Sequence, residues 1–137
     1  MARLRYNSNF KGMPGSGKTT MIVALVRLLV KMGKSVLLTS YTHSAVDNLL
    51  LKLLKADDAK PCFLRLGKKS KVHHDLEEHS EDFLIDSKGI TTPEKLTQLY
   101  RSQPVIATTC LGANNHPCLQ ERMFDYCILD EAGNYIL

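Results

Sequence analysis

The chain has 137 residues, of which 44% are hydrophobic and 23% charged; that length and balance suit one folded domain and exclude disorder as the whole answer. Its 18 Lys and Arg against 14 Asp and Glu give a net charge of +4, compatible with a nucleic-acid partner but too mild to demand one. No apolar run approaches the roughly 20 residues of a membrane span, and the opening MARLRYNSNFK lacks the apolar stretch of a signal peptide, so the expectation is a protein that neither enters a membrane nor is secreted.

Residues 1–11 form a poorly defined segment, because LRYNSNFK has neither a continuous apolar run nor clean alternation and is a poor candidate for a buried strand. From Lys18 to Met32 the sequence is apolar almost all round and closes at Gly33, which predicts a largely buried helix with a glycine terminator. SVLLTS, from Ser35 to Ser40, is a run of strand length. Val46, Leu49, Leu50, Leu53 and Leu54 then recur at helical spacing, with Ser44 placed to cap that helix and Asp47 suited to its first turn. CFLRLG, from Cys62 to Gly67, reads as another strand.

Between Lys68 and Gln103 the composition turns charged, with a basic KKSK, an acidic DLEEHSED and sparse apolar anchors at Leu76, Phe83 and Leu84, which predicts a mostly helical insertion over 68–103. Its last piece is well marked: Thr92 as cap, Pro93 at the first helical position, Leu96, Leu99 and Tyr100 on one face, and Pro104 beyond the end. PVIATTC predicts a strand, LGANNHP a loop, and FDYCILDEA a final apolar strand running into two acids. Helices alternating with buried strands imply an α/β fold with a parallel sheet.

Cys62, Cys110, Cys118 and Cys127 contain no C-x-x-C pair, so plain thiols are expected rather than a zinc site or a disulfide framework. His73, His74 and His79 fall in the charged insertion and are expected on a solvated face rather than on an ion. His116, with Pro117 and Cys118, reads as turn chemistry.

The strongest chemical signal is GMPGSGKT, Gly12 to Thr19, which satisfies G-x-x-x-x-G-K-[ST] and runs straight into a helix. Glycines let successive backbone N–H groups converge on phosphate oxygens, the helix N-terminus favours negative charge, Lys18 neutralises β and γ phosphates, and Thr19 can hold Mg²⁺. Its counterpart is the strand Cys127-Ile128-Leu129 ending in Asp130 and Glu131. Asp130 can coordinate magnesium through water, and Glu131 can orient and deprotonate an attacking water. Two acids favour ATP hydrolysis over transfer to a small-molecule acceptor.

GMPGSGKTT, LLTSYTHSAVDNLL, FLRLGKKSKVH, VIATTCLG and FDYCILDEA together resemble, in order, the nucleotide and DNA-contact motifs of superfamily 1 helicases, and within them the eukaryotic DNA replication ATP-dependent helicase/nuclease family. The resemblance runs from about Gly12 to Ala132. Related RNA helicases carry the same Ala-Val-Asp in different surroundings, so SYTHSAVDN favours the DNA branch, with the RNA branch as the alternative. The resemblance implies a P-loop NTPase of RecA-like architecture, residues 12–137 being part of the first motor lobe of an enzyme that moves 5′ to 3′ along single-stranded DNA. Carried over residue by residue, Gly12, Pro14, Gly15, Ser16, Gly17, Lys18, Thr19 and Thr20 would cradle ATP, and Thr19 and Asp130 would hold magnesium. Ser40, Tyr41, Thr42, Thr108 and Thr109 would touch DNA, as short hydroxyls and backbone N–H groups at strand ends suit sequence-independent phosphate contact; the same hydroxyls could equally cap helices and satisfy loop backbone.

The resemblance also implies DNA replication and repair in the nucleus, with mitochondria as a second location, and a parent protein carrying a second lobe and a nuclease domain. The chain departs from the family pattern in three places: the apolar strand before the phosphate loop is replaced by LRYNSNFK, the Asp-Glu-Ala is followed by Gly133 rather than Ser or Thr, and the chain carries nothing beyond Leu137. In that family a further strand lies between the phosphate-loop strand and the Asp-Glu strand, so an open slot is expected there. The corresponding expectation is an incomplete lobe that in isolation binds ATP poorly and does not unwind DNA. A non-catalytic nucleic-acid-binding fragment is the rival reading.

Overall fold

The computed structural model describes residues 3–4, 7–10, 16–56 and 63–130. Seven strands and six helices follow in chain order among them: β1 (Arg3–Leu4), β2 (Asn7–Phe10), α1 (Ser16–Lys31), β3 (Val36–Ser40), α2 (His43–Ala56), β4 (Phe63–Arg65), α3 (Glu81–Ser87), α4 (Pro93–Ser102), β5 (Val105–Thr109), α5 (Cys110–Asn115), α6 (Pro117–Glu121), β6 (Met123–Phe124) and β7 (Tyr126–Asp130). Two 3₁₀ turns, Lys69–Lys71 and His74–His79, precede α3.

Five strands form one sheet in the order β2-β7-β3-β5-β4, and every neighbouring pair is parallel. β1 and β6 make a separate parallel pair. All five residues of β3 and of β5 are buried, as central strands covered on both faces must be, which is why VLLTS and VIATT read as unbroken runs rather than alternations. Alternation survives in where the side chains go. Val36 and Leu38 join Val105, Ala107 and Ile128 on one face against Ile22, Val26 and Leu29 of α1 and Val46, Leu49, Leu50 and Leu53 of α2. Leu37 and Ile106 face the other way, with Leu64, Tyr100, Leu119 and Phe124. Each fully buried leucine or isoleucine here contributes roughly 1.5–3 kcal/mol of hydrophobic stabilisation.

α1 stops where expected: Gly33 adopts φ 75° and its N–H bonds the carbonyl of Val30, the left-handed helix end that glycine enters without steric cost. α2 begins one residue before Ser44. Thr42, not Ser44, is the capping side chain, accepting from the Ala45 N–H at 3.2 Å.

Two further expectations are overturned. Asn7–Phe10 is a strand despite its polar sequence; at the sheet edge it needs a partner on one side only, and backbone pairing does not require an apolar run. It pairs directly with β7, Phe10 opposite Asp130, so the slot expected between these two strands is closed by their own ladder. LGANNHP is not a loop: Cys110–Asn115 and Pro117–Glu121 are helical. The Thr109 hydroxyl starts α5 by accepting from the Gly112 N–H at 3.0 Å, and Leu119 of α6 is fully buried. Among the described residues, no helix is long and apolar enough to cross a membrane.

Candidate functional site

Parallel register brings the carboxyl ends of four strands into one row: Phe10, Asp130, Ser40 and Thr109 lie side by side across β2, β7, β3 and β5. Ligands of open α/β sheets gather at this edge. The row is held from the opposite end of the sheet, where the Ser35 N–H donates to Asp125 Oδ2 at 2.9 Å and the Asp125 N–H donates to Ser35 Oγ at 2.9 Å. These reciprocal bonds fix β3 against β7 before either strand begins.

α1 starts at Ser16, and its first turn carries Lys18 to the row; Thr19, the next residue, is half-buried. Lys18 Nζ lies 3.3 Å from Asp130 Oδ1, with the two side chains only 9% and 6% exposed. The contact is an ion pair without hydrogen-bond alignment, and no polar atom among the described residues satisfies this buried ammonium. An ammonium offers three donors; a buried one that is ion-paired but makes no hydrogen bond, beside a carboxylate and in the first turn of a helix, is chemically suited to phosphate oxygens with a divalent cation on the carboxylate. The residues present therefore fit a magnesium nucleotide. Gly12, Pro14, Gly15 and Glu131 lie outside the described residues, while Ser16 and Gly17 open α1.

The hydroxyls expected to touch DNA divide into two groups. Ser40 is fully buried and donates to the main-chain carbonyl of Asp130 at 2.7 Å; Thr108 is buried; Thr109 is buried and caps α5. Tyr41 is half-buried and Thr42 exposed, with Thr42 Oγ1 3.5 Å from the exposed Ser44 hydroxyl. Only Tyr41 and Thr42 thus stand at the surface.

Asp47 does not act on the helix terminus as its first-turn position suggested. It is buried and accepts from Arg65 Nε at 2.8 Å, while its second oxygen accepts from the His73 N–H at 3.0 Å. Arg65 is completely buried and also donates to the Leu66 carbonyl. Its Nη2 lies 3.1 Å from His43 Nδ1. Sequence reasoning missed this network, whose signal is a lone Arg inside an apolar strand, FLRLG, since a buried guanidinium requires a carboxylate.

A second polar cluster ties the insertion to α5. Tyr100 donates its hydroxyl to Glu81 Oε1 at 2.5 Å, and His116 Nε2 lies 2.9 Å from Glu81 Oε2, so His116 is an anchor between segments rather than turn chemistry alone. Burial pushes the Glu81 carboxyl up, but the hydrogen bonds from His116 and Tyr100 outweigh it and hold the group below its ordinary value. His79 stacks on Phe63 at 4.2 Å rather than standing on a solvated face. His73, His74 and Asp75 offer ligand atoms within 4.8 Å of one another. Two of the three are exposed, and His73 Nδ1 already accepts from the Asp75 N–H. Cys110 and Cys127 are free thiols, both pushed up by burial, with the Thr39 hydroxyl partly offsetting it. Cys62 lies outside the described residues, and Cys118 is described by its helix alone.

The AAA domain family matches residues 6–101 of this chain. The chain is 57% identical over 122 residues to the DNA replication ATP-dependent helicase/nuclease DNA2 of Xenopus laevis, and 55% identical over 122 residues to that of Mus musculus. It is 46% identical over 123 residues to that of Saccharomyces cerevisiae. Each alignment covers 89% of this chain, but 11% of the Xenopus and mouse relatives and 8% of the yeast one. The chain thus spans a small part of the length of the relatives it matches.

Proposed function

This chain belongs to the AAA domain family, and from that membership we propose that it is the ATP-binding and ATP-hydrolysing lobe of a 5′ to 3′ DNA helicase that works in replication and repair. The observation that carries the reading is the buried Lys18 ammonium, ion-paired with Asp130 at 3.3 Å yet without a hydrogen-bond partner among the described residues, in the first turn of α1. The names of the relatives support the helicase part of it.

In this reading Gly12, Pro14, Gly15, Ser16, Gly17 and Thr20 cradle ATP with backbone N–H groups and short side chains, and Lys18 turns its donors to the β and γ phosphates. Thr19 and Asp130 would hold magnesium, which would neutralise charge on the phosphate oxygens. Glu131 orients the attacking water and takes its proton. Ser40 fixes the Asp130 backbone from the neighbouring strand, so the acid keeps its place when Lys18 moves from carboxylate to phosphate. Tyr41 and Thr42 meet the single strand directly, with Ser40, Thr108 and Thr109 behind them. The remaining lobe and a nuclease domain belong to the parent protein, which works in the nucleus, with a mitochondrial pool as the finer expectation.

The test is calorimetric binding of magnesium ATP and of oligo(dT), together with ATP turnover, for the wild-type chain, Lys18→Ala and Glu131→Gln. Nucleotide binding lost in Lys18→Ala and kept in Glu131→Gln is the expected result. Binding indifferent to Lys18 sinks the reading. A preference for oligo(U) over oligo(dT) moves the chain to the RNA branch.

A further inference from the structure

We propose that Arg65 is a positioning residue for strand contact: it fixes the His43 ring so that Nε2–H is presented as a neutral hydrogen-bond donor to a phosphate oxygen, beside Thr42. The inference rests on the strand-contact reading of Tyr41 and Thr42 above and adds to it the donor and the reason for its tautomer.

The argument begins with donor chemistry. A guanidinium can only donate, and Arg65 Nη2 sits 3.1 Å from His43 Nδ1. Nδ1 must therefore be the lone-pair nitrogen, and the ring proton resides on Nε2. Arg65 cannot turn away to relieve this. It is fully buried, with Nε held by Asp47 at 2.8 Å and Nη1 by the Leu66 carbonyl, and Asp47 is itself held on its other oxygen by the His73 N–H.

The charges around the ring keep it neutral. Burial and the Arg65 and Lys71 cations lower the His43 pKa from its ordinary value of 6.5, against an opposing pull from Asp47. At neutral pH the ring is thus a fixed donor and not a second cation.

Position supplies the rest. His43 is the first residue of α2 and half-buried, between the exposed Thr42 and Ser44. Its Nε2 has no hydrogen-bond partner among the described residues, although the opposite nitrogen is tied down. Lys71 is exposed and near enough for its charge to act on His43, so a cation and a neutral donor share this corner. A strand phosphate is the ligand both suit.

The test combines oligo(dT) binding by the full chain over a range of salt with ¹⁵N spectra of its histidine rings. His43 should show an unprotonated Nδ1 and a protonated Nε2 without DNA, with the Nε2 signal moving on oligo(dT) addition. His43→Ala should weaken binding about tenfold, the value of one hydrogen bond to a charged group, and leave the salt slope unchanged because no charge is lost. Lys71→Ala should instead lower that slope by about one counterion. His43→Gln, whose amide nitrogen reaches the position of Nε2, should retain most of the affinity, and His43→Asn, which reaches only that of Nδ1, should not. Arg65→Lys should release the tautomer and weaken binding as His43→Ala does.

A protonated Nδ1 in the free chain overturns the proposal. So does oligo(dT) binding unaffected by His43→Ala in a wild-type chain that binds. A wild-type chain that binds no oligo(dT) overturns the strand-contact reading and this proposal with it.

Discussion

Ser40 and Asp130 face each other across the β3–β7 ladder, and the Ser40 hydroxyl donates to the Asp130 carbonyl at 2.7 Å. The bond lies on the backbone of the acid proposed to hold magnesium rather than in the solvent where a strand would pass. Ser40→Ala is expected to cost about 1–2 kcal/mol, the value of a buried hydrogen bond lost with one partner left behind, and to weaken magnesium ATP binding more than oligo(dT) binding. Urea unfolding and parallel titrations check both; the reverse order of effects would return Ser40 to the strand face.

Removing one member of the buried Lys18–Asp130 pair strands the other charge. Lys18→Met is expected to destabilise by about 3 kcal/mol and to abolish nucleotide binding, whereas adding Asp130→Asn recovers stability without recovering binding. A double-mutant cycle by urea unfolding, with calorimetry on each variant, checks this. Additive stability losses would mean that the two side chains do not act as a pair.

Gly112 has no room for a side chain. A Cβ there would lie 2.5 Å from Thr108 Oγ1 and 3.1 Å from Thr109 Oγ1, and both threonines are buried and stiff at χ1. Gly112→Ala should destabilise by about 1–3 kcal/mol from overpacking despite the roughly 1 kcal/mol that alanine favours in a helix. Adding Thr108→Ala should recover part of the loss, measured as a shift of the thermal midpoint.

Glu81 makes the fold acid-sensitive. Its carboxyl titrates below the ordinary value of 4.5, so the unfolded chain takes up the proton first. The stability it contributes is present in full above about pH 4.5 and is lost as pH falls through the folded value. Thermal midpoints measured from pH 7 to pH 3 should decline less steeply for Glu81→Gln than for the wild-type chain. Equal slopes would remove Glu81 from the cause.

The elements legible in the sequence are those whose local pattern and tertiary role agree. VLLTS, VIATT and CILD are largely buried and read as such, and Thr92 caps α4 with its hydroxyl on the Lys95 N–H as its spacing indicates. Lys18 to Met32 is a helix as expected but not a largely buried one: Ile22, Val23, Val26 and Leu29 are buried on one face, while Met21, Leu28 and Met32 are exposed. Of the candidate site, the meeting of Lys18 with Asp130 was legible because phosphate chemistry constrains residue type and spacing together, while Gly12, Pro14, Gly15 and Glu131 lie outside the described residues. What was illegible depends on partners distant in sequence. NSNF becomes a strand only because β7 offers a ladder, and CLGANN becomes a helix only because Thr109 ends a strand at the right place to cap it. Asp47 resembles an ordinary first-turn acid until β4 brings Arg65 beneath it.

The clasp between Ser35 and Asp125 joins residues 90 positions apart, and it governs the order in which this chain can fold. β3 is made early, yet both of its neighbours, β5 and β7, come after the whole insertion. Until then Val36 to Ser40 has two bare edges and nothing to pair with, while α1 and α2 can already dock on each other. Helices first and the sheet last is the sequence of events this topology dictates. It makes the chain a slow folder for its size, because loop closure must be complete before the central ladder returns any stability. On a ribosome the same delay leaves an apolar strand waiting for partners not yet synthesised, which is where a chaperone would find it.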